Sequence, residues 1–255
     1  MTITAIILTK NEENTIIDCI EALTFCDEVI LIDDFSTDNT VSLARSYKNI
    51  PVTVIQRKLN ENFSDQRNFG LAQAKSEWVL FVDADEIVSK KLSQEIEKSL
   101  SEDTKINGYY IPRKDIVLGK ELNFGETGSM RTIRLAKKNA GKWEGVVHEQ
   151  WNISGTVGIL ENYLTHQPHK NISEFLTKIN VYTTLRANEL YVQKKKSNLF
   201  QILIYPFAKF IKNYILFKGY KDSTAGFVHA MLMSFHSFLV RGKLYLLWKG
   251  IKNTL

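Results

Sequence analysis

Short apolar runs punctuate the first hundred residues: 2–9 (TITAIILT), 28–33 (EVILID), 52–56 (VTVIQ) and 77–82 (EWVLFV). Each is β-branched and almost unbroken by polar residues, as expected for strands covered on both faces. Helical periodicity fills the gaps. In NEENTIIDCIEALTFC, Ile16, Ile17, Cys19, Ile20 and Leu23 fall mostly on one face. Asn11 is expected to cap that helix, and Glu12 and Glu13 suit its positive end. STDNTVSLARSY and SDQRNFGLAQAK repeat the plan, with Ser36 or Thr37 and then Ser64 as expected caps. SKKLSQEIEKSL follows, with Leu92, Ile96 and Leu100 spaced by four. Strand–helix alternation predicts an open, mostly parallel α/β sheet over residues 1–105.

Beyond that point the period changes. NGYYIPR, MRTIRLAKK and GTVGILENYLTH read as strands without intervening helices, a mixed or antiparallel portion over 106–169. From Ile172 the chain reads as helical, with Pro206 as the expected break. The sequence therefore divides into a body, 1–169, and a helical extension, 170–255.

Charge sharpens that division. The net charge of the 255-residue chain is +5, but residues 170–255 hold fourteen Lys/Arg against three Asp/Glu. A basic, aromatic extension follows an acidic body, which is a statement about partners. Residues 223–240 lack Lys, Arg, Asp and Glu, yet carry His229, His236 and several serines. That composition fits helices lying at a membrane surface better than a spanning helix. No nucleic-acid motif accompanies the basic residues, so nucleic acid is not expected as a partner. The N-terminus shows no signal-peptide pattern, and a cytoplasmic protein peripheral on the inner face of the membrane is expected. Cys19 and Cys26 sit in or beside the first helix pattern and are expected to be free, buried thiols. A homo-oligomer is compatible with the sequence.

Three polar clusters follow predicted strands: TKNEE (9–13), DDFSTD (33–38) and DADE (83–86). In open α/β sheets ligands bind beyond the carboxyl ends of strands. Asp83 and Asp85, two apart, point the same way if the strand continues, and like charges so placed call for a cation or a shared proton. Oxygen ligands of this kind suit Mg²⁺ or Mn²⁺, with phosphate oxygens and water completing the shell. The alternative is that Asp85 caps the following helix and Asp83 is a turn residue.

TKNEE, VILIDDFSTDNT, FSDQRNFGLAQAKSEWVLFVDADE and VHE together resemble the inverting family-2 glycosyltransferases of GT-A fold. NGYYIPR, RTIRL and WEGVVHE extend the likeness to the branch that adds sugars to lipopolysaccharide core, typified by β-1,4-glucosyltransferases. The resemblance implies a UDP-linked sugar donor and a glycolipid or oligosaccharide acceptor. Thr9, Glu12, and Asp33 or Asp34 fall where base and ribose are held. Gln66 and Arg67 fall where the diphosphate or sugar is held, Arg67 having a surface ion pair with Asp65 or Glu61 as its alternative. Asp83 and Ala84 would meet the sugar or ribose, and Asp85 the metal.

Inversion by direct displacement needs a base for the acceptor hydroxyl. The resemblance points to Glu149, with His148 or Glu144 as alternatives and His148 also a candidate metal ligand. Trp143 and Trp151 would flank a sugar or pack in the core. Arg131 and Arg134, in one predicted strand, are expected to share a face and to meet diphosphate or an acidic acceptor. An aspartyl-phosphate phosphohydrolase would carry Asp-x-Asp at its first strand rather than its fourth. A nucleotidyltransferase would need a basic, Gly-rich loop where this chain has TKNEEN. The remaining alternative is a non-catalytic or hydrolytic relative that binds nucleotide sugars at the membrane.

Overall fold

The computed structural model describes residues 1–60, 62–102, 105–117, 119–126, 131–145, 149–166 and 172–251. They form two compact units: 1–113 with 130–166, and 114–129 with 167–255. Residues 114–117 and 119–126, which the sequence places in the body, cluster with the helices.

In the first unit, strands β1 (Ile3–Thr9), β2 (Glu28–Asp33), β3 (Val52–Gln56) and β4 (Trp78–Asp83) run parallel in the order β3-β2-β1-β4. Successive side chains point to opposite faces, so each strand feeds two cores. Ala5, Ile7, Leu31, Leu80 and Val82 join Ile16, Cys19 and Ile20 of α1 (Ile16–Glu21), Ala44 of α2 (Thr40–Ser46) and Leu92, Ile96 and Leu100 of α4 (Lys90–Ser101). Ile6, Ile30, Ile32, Val79 and Phe81 join Leu71 of α3 (Phe63–Gln73) and two tryptophans, Trp143 and Trp151. Because both faces are covered, these strands carry no polar alternation.

The sheet continues past β4 through β8 (Arg131–Lys137) and β6 (Ile106–Val117), with β8 antiparallel to both β4 and β6. β12 (Leu164–His166) and the short β5 (Glu86–Val88) close that side, and β11 (Thr156–Ile159) pairs with β6. A hairpin of β9 (Gly141–Glu144) and β10 (Gln150–Ile153) forms a separate ladder that the sequence did not announce. Its inward residues are the tryptophans, stacked at 5.3 Å and set edge-on to Phe81. Core packing, not sugar stacking, is their role.

Helix starts differ from the expected caps. Asn11 adopts φ 57° and its Oδ1 accepts from Thr37 N, so it ties two loops together, and α1 begins after Thr15. α2 follows Asn39 rather than Ser36 or Thr37, and Asn62, not Ser64, caps α3. α4 is capped by Ser89, whose Oγ accepts from Leu92 N, which removes the capping role considered for Asp85. Both cysteines are free and buried, as expected.

In the second unit α5 (Ile172–Val192) is followed by α6 (Leu199–Ile211), and a π-helical turn, Lys212–Leu216, and a 3-10 turn, Gly219–Asp222, lead from α6 to α7 (Ser223–Trp248). Pro206 does not break the chain; it lies inside α6, and the breaks come at the turns on either side. A proline forfeits one helix bond, a cost that packing can absorb. Residues 114–126 join this unit through polar contacts. Asp222 accepts from the backbone N–H groups of Asn123 and Phe124, Asn213 accepts from Glu126 N, and Lys209 pairs with Glu126. β7 (Lys120–Glu121) pairs with the last residues of β6.

Candidate active site

Strand order reverses between β1 and β4, and the loops after β1, β2 and β4 meet at that switch point. The first two interlock through hydrogen bonds. Asp34 N donates to Thr9 O, Asn11 N to Ser36 Oγ, Glu12 N to Thr40 Oγ1 and Glu13 N to Asp38 Oδ2. Asp33 is fully buried and accepts from Ser36 N at 3.0 Å and Gln56 Nε2 at 3.1 Å. Asp34 accepts from Leu59 N and from Lys10 Nζ at 2.7 Å. Glu12 accepts from Thr15 Oγ1. Thr9 is buried at the strand end, and its hydroxyl has no hydrogen-bond partner among the described residues. A buried polar atom without a partner is uncommon and marks a place where a ligand can bond.

The carboxylate cluster after β4 is neutralised by arginines. Asp83 Oδ2 accepts from Arg134 Nη2 at 2.7 Å, and its Oδ1 accepts from Arg67 Nη2 at 2.8 Å. Glu86, with no exposed surface, accepts from Asp83 N at 2.9 Å and from Arg134 Nη2 at 3.1 Å. Arg113 lies 3.7 Å from the same Glu86 oxygen. Burial works against ionisation of Asp83, but Arg134 and then Arg67 outweigh it and hold the carboxyl well below the usual range. Burial dominates at Glu86 and pushes its pKa up against the pull of Arg134.

The expectation that Asp83 and Asp85 face one way on a continuing strand does not hold. The strand ends at Asp83 and residues 84–85 form a turn, so the two-residue period stops there. Ala84 is buried in that turn, and Asp85 Oδ2 lies 3.5 Å from Nε2 of His166, at the end of β12. The two aspartates thus serve different partners.

Arg67 reaches the cluster because the buried face of α3 carries it, together with Gly70 and Leu71 at helical spacing. Its guanidinium sits 4.7 Å from the centre of the Trp143 ring, and Nε donates to Glu149 Oε1 at 3.0 Å. Its alternative partner, Asp65, pairs with Arg57 instead. Nη1 of Arg67 is buried and has no hydrogen-bond partner among the described residues. Gln66 is buried and bonded twice to Arg57, so it supports the loop after β3 from beneath.

Of the expected bases, Glu149 joins the arginine chain, whereas Glu144 accepts from Asn152 on the hairpin surface. His148 lies outside the described residues. Arg131 and Arg134 stand in different environments, and the ladder with β6 shifts register between them, pairing Tyr109 with Leu135 and Tyr110 with Ile133. Arg131 is exposed and Arg134 is buried. Sequence reasoning missed Glu86, Arg113 and His166. The three carboxylates within DADE were the available signal for Glu86, but its cations, Arg134 and Arg113, come from strands forty-eight and twenty-seven residues away. An open hollow of about 440 Å³, bounded by Asn68, Lys138, Gly141 and Lys142, touches none of these groups.

Loops at the carboxyl ends of parallel strands and a buried arginine–carboxylate chain beside them define a ligand-binding α/β domain of the kind that handles anionic substrates. Sequence comparison defines it further. The family model for glycosyl transferase family 2 matches residues 4–146, and the chain belongs to that family, with the GT-A fold. It is a glycosyltransferase. The chain is 27% identical over 248 residues to the lipopolysaccharide core biosynthesis glycosyltransferase LpsC of Rhizobium meliloti (strain 1021), covering 95% of this chain and 92% of that protein. It is 30% identical over 260 residues to an uncharacterized glycosyltransferase of Rickettsia felis, covering 95% and 89%. Among solved structures, S. aureus TarS 1–349 in complex with UDP-GlcNAc aligns with a TM-score of 0.51 at 13% identity, covering all of this chain and 93% of that one.

Proposed function

We propose that this glycosyltransferase moves a sugar with inversion from a UDP-linked donor to a hydroxyl of a glycolipid or lipopolysaccharide-core acceptor. The observation that carries the reading is the chain Glu149–Arg67–Asp83–Arg134, with a buried Arg67 N–H left for a ligand at the end of β4. The UDP-GlcNAc complex of TarS, on the same fold, supports a UDP-linked donor. The name of LpsC supports the acceptor class.

In this reading Thr9, Glu12, Asp33 and Asp34 border the base and ribose, and Gln66 holds their floor through Arg57. Arg67 donates to the diphosphate or the sugar, since a guanidinium meets phosphate oxygens with directed N–H groups. Asp83, held rigid by two arginines, accepts from sugar or ribose hydroxyls. Glu149 takes the proton of the incoming acceptor hydroxyl. Ionic contact with Arg67 fixes Glu149 relative to Asp83, which limits the geometries from which the hydroxyl can attack.

The donor set near Asp85 fits Mg²⁺ or Mn²⁺. One carboxylate oxygen and one imidazole nitrogen, 3.5 Å apart, would offer two ligands of the type Mn²⁺ accepts, with substrate oxygens and water left to supply the rest. Asp85 and His166 would hold the ion, with His148 a further candidate from the sequence. When bound, a divalent ion supplies charge neutralisation of the leaving diphosphate. The extension would keep the protein peripheral on the cytoplasmic face of the membrane, near the acceptor.

The test uses a panel of UDP-sugars with lipopolysaccharide-core or glycolipid acceptors, and the anomeric configuration of the product is read by NMR. Glu149→Gln should lower kcat by roughly 10²–10⁴-fold while UDP binding is kept. Unchanged turnover would remove Glu149 as base, and a retained anomeric configuration would refute direct displacement.

A further inference from the structure

The helical unit carries one element whose composition and exposure disagree with a soluble surface. α6 has no buried residue. Leu199 (68% exposed), Phe200 (69%), Leu203 (63%) and Phe207 (65%) stand on one side of it, joined by Ile204. Positions 199, 200, 203, 204 and 207 follow the helical i, i+3, i+4 rule, so they form one continuous apolar stripe. Leu216 and Phe217 extend the exposed apolar surface beyond the helix end. Contiguous patches of this kind mark an interaction surface.

Charge identifies the occupant. Lys194, Lys195 and Lys196 precede α6 and are exposed; Lys212, Lys218 and Lys221 follow it and are exposed. An apolar stripe bracketed by lysines at both ends matches an anionic lipid surface, where acyl chains take the stripe and head groups take the ammonium groups. Thirteen residues at 1.5 Å per residue give about 20 Å, too short for a hydrocarbon core of about 30 Å. α6 therefore lies along the interface.

α7 is the competing element. Gly219–Trp248 is the one helical stretch among the described residues long and apolar enough to cross a bilayer. It is, however, pinned into the unit. Lys243 Nζ lies within hydrogen-bond distance of Asn180 O, Asn180 Oδ1, Thr183 Oγ1 and Thr184 Oγ1, all in α5 and more acceptors than its three N–H groups need, and Val240 and Leu244 pack on Ala187 and Leu190. Ala225, Gly226, His229 and Ala230, earlier in the same helix, are buried as well, so one side of α7 is packed along most of its length. We infer that α6, lying in the plane of an anionic bilayer with Leu199, Phe200, Leu203 and Phe207 inserted, is the membrane anchor of this chain, and that α7 is the packed helix behind it. This rests on the peripheral attachment proposed above and specifies the element responsible.

The test is co-sedimentation of the full-length protein with vesicles of phosphatidylcholine alone or with 30 mol% phosphatidylglycerol, a composition of our choosing. Phe200→Ser/Leu203→Ser/Phe207→Ser should lower the partition coefficient at least tenfold on anionic vesicles. Lys194→Ser/Lys195→Ser/Lys196→Ser should remove the preference for phosphatidylglycerol and leave the residual apolar binding. Light scattering without lipid follows the oligomeric state, and circular dichroism follows folding. If the parent does not bind either vesicle, the attachment reading itself falls. If the parent binds and the apolar variant binds equally well, attachment stands and the assignment to α6 is overturned. A parent dimer that dissociates in the apolar variant, with vesicle binding unchanged, would make the stripe a contact between copies and would equally overturn it. Because Cys19 and Cys26 are buried, a dye on Leu203→Cys reports insertion selectively; its emission should shift to the blue on anionic vesicles.

Discussion

The cation that stabilises Asp83 is protein-borne, and this changes what single substitutions should do. Arg134 is the nearest positive charge to a glutamate without exposed surface. Arg134→Ala strands Glu86 and half-strands Asp83, and losing one partner of a buried pair costs about 3–5 kcal/mol. Urea denaturation should show that loss, whereas Arg131→Ala, at an exposed position, should change stability by no more than about 0.5 kcal/mol. The pH dependence follows from the directions of the shifts. Asp83 has a lowered folded pKa, so its ionised form stabilises the fold fully above the unfolded value of about 3.9, and that stability is lost as pH falls through the lowered value. Glu86, raised by burial, acts oppositely: folded protein binds its proton more readily, which offsets part of the loss. Urea midpoints between pH 5 and pH 2 should therefore fall in the parent, and Asp83→Asn should flatten that fall while being less stable at pH 7. Arginine–carboxylate chains of this sort were invisible in the sequence because their members come from α3, β4, β6 and β8.

At the scale of elements, α3 decides where Arg67 points. Gly70, one turn further along, lets the helix approach the sheet: a Cβ there would lie 2.9 Å from Ile6 Cγ2 and 3.3 Å from Ile32 Cγ1. Both isoleucines are buried in strands and have no room to yield. Gly70→Ala gains about 1 kcal/mol of helix propensity but overpacks a closed core, a cost of about 1–3 kcal/mol. The expected outcome is a net loss of stability together with weaker UDP binding, since α3 must move outward. A thermal shift measured with and without UDP checks both. Strands β1–β4 and helices α1–α4 were legible because burial on both faces leaves an unmixed apolar run, and burial on one helix face leaves a 3.6-residue stripe. The hairpin β9–β10 was not legible, because its register hides one tryptophan per strand and leaves no alternation long enough to read. The caps were misplaced for a related reason: Asn11 and Ser36 bond to a neighbouring loop rather than to their own helix.

For the whole molecule, charge is distributed by unit, and the extension carries most of the positive excess. Raising ionic strength from 0.1 M to 1 M shortens the screening length from about 10 Å to about 3 Å. Binding to anionic vesicles should therefore weaken strongly with salt while binding to neutral vesicles persists, the first reporting the lysines and the second the apolar stripe. Vesicle titrations at both salt concentrations separate the two contributions.

The amino-acid sequence alone determined the parallel α/β frame, the strand ends that bear polar clusters, the free thiols, the basic helical extension and the family resemblance. These are local or compositional properties, written in periodicity and in motifs within a few residues of one another. Tertiary structure alone decided that Arg134 and Arg67 pair with Asp83, that Asp85 faces His166, that Glu149 rather than Glu144 meets Arg67, and that residues 119–126 cluster with the helices. Each of those depends on residues far apart in sequence meeting across strands and helices, and side-chain charge at a distance leaves no periodic trace in the chain.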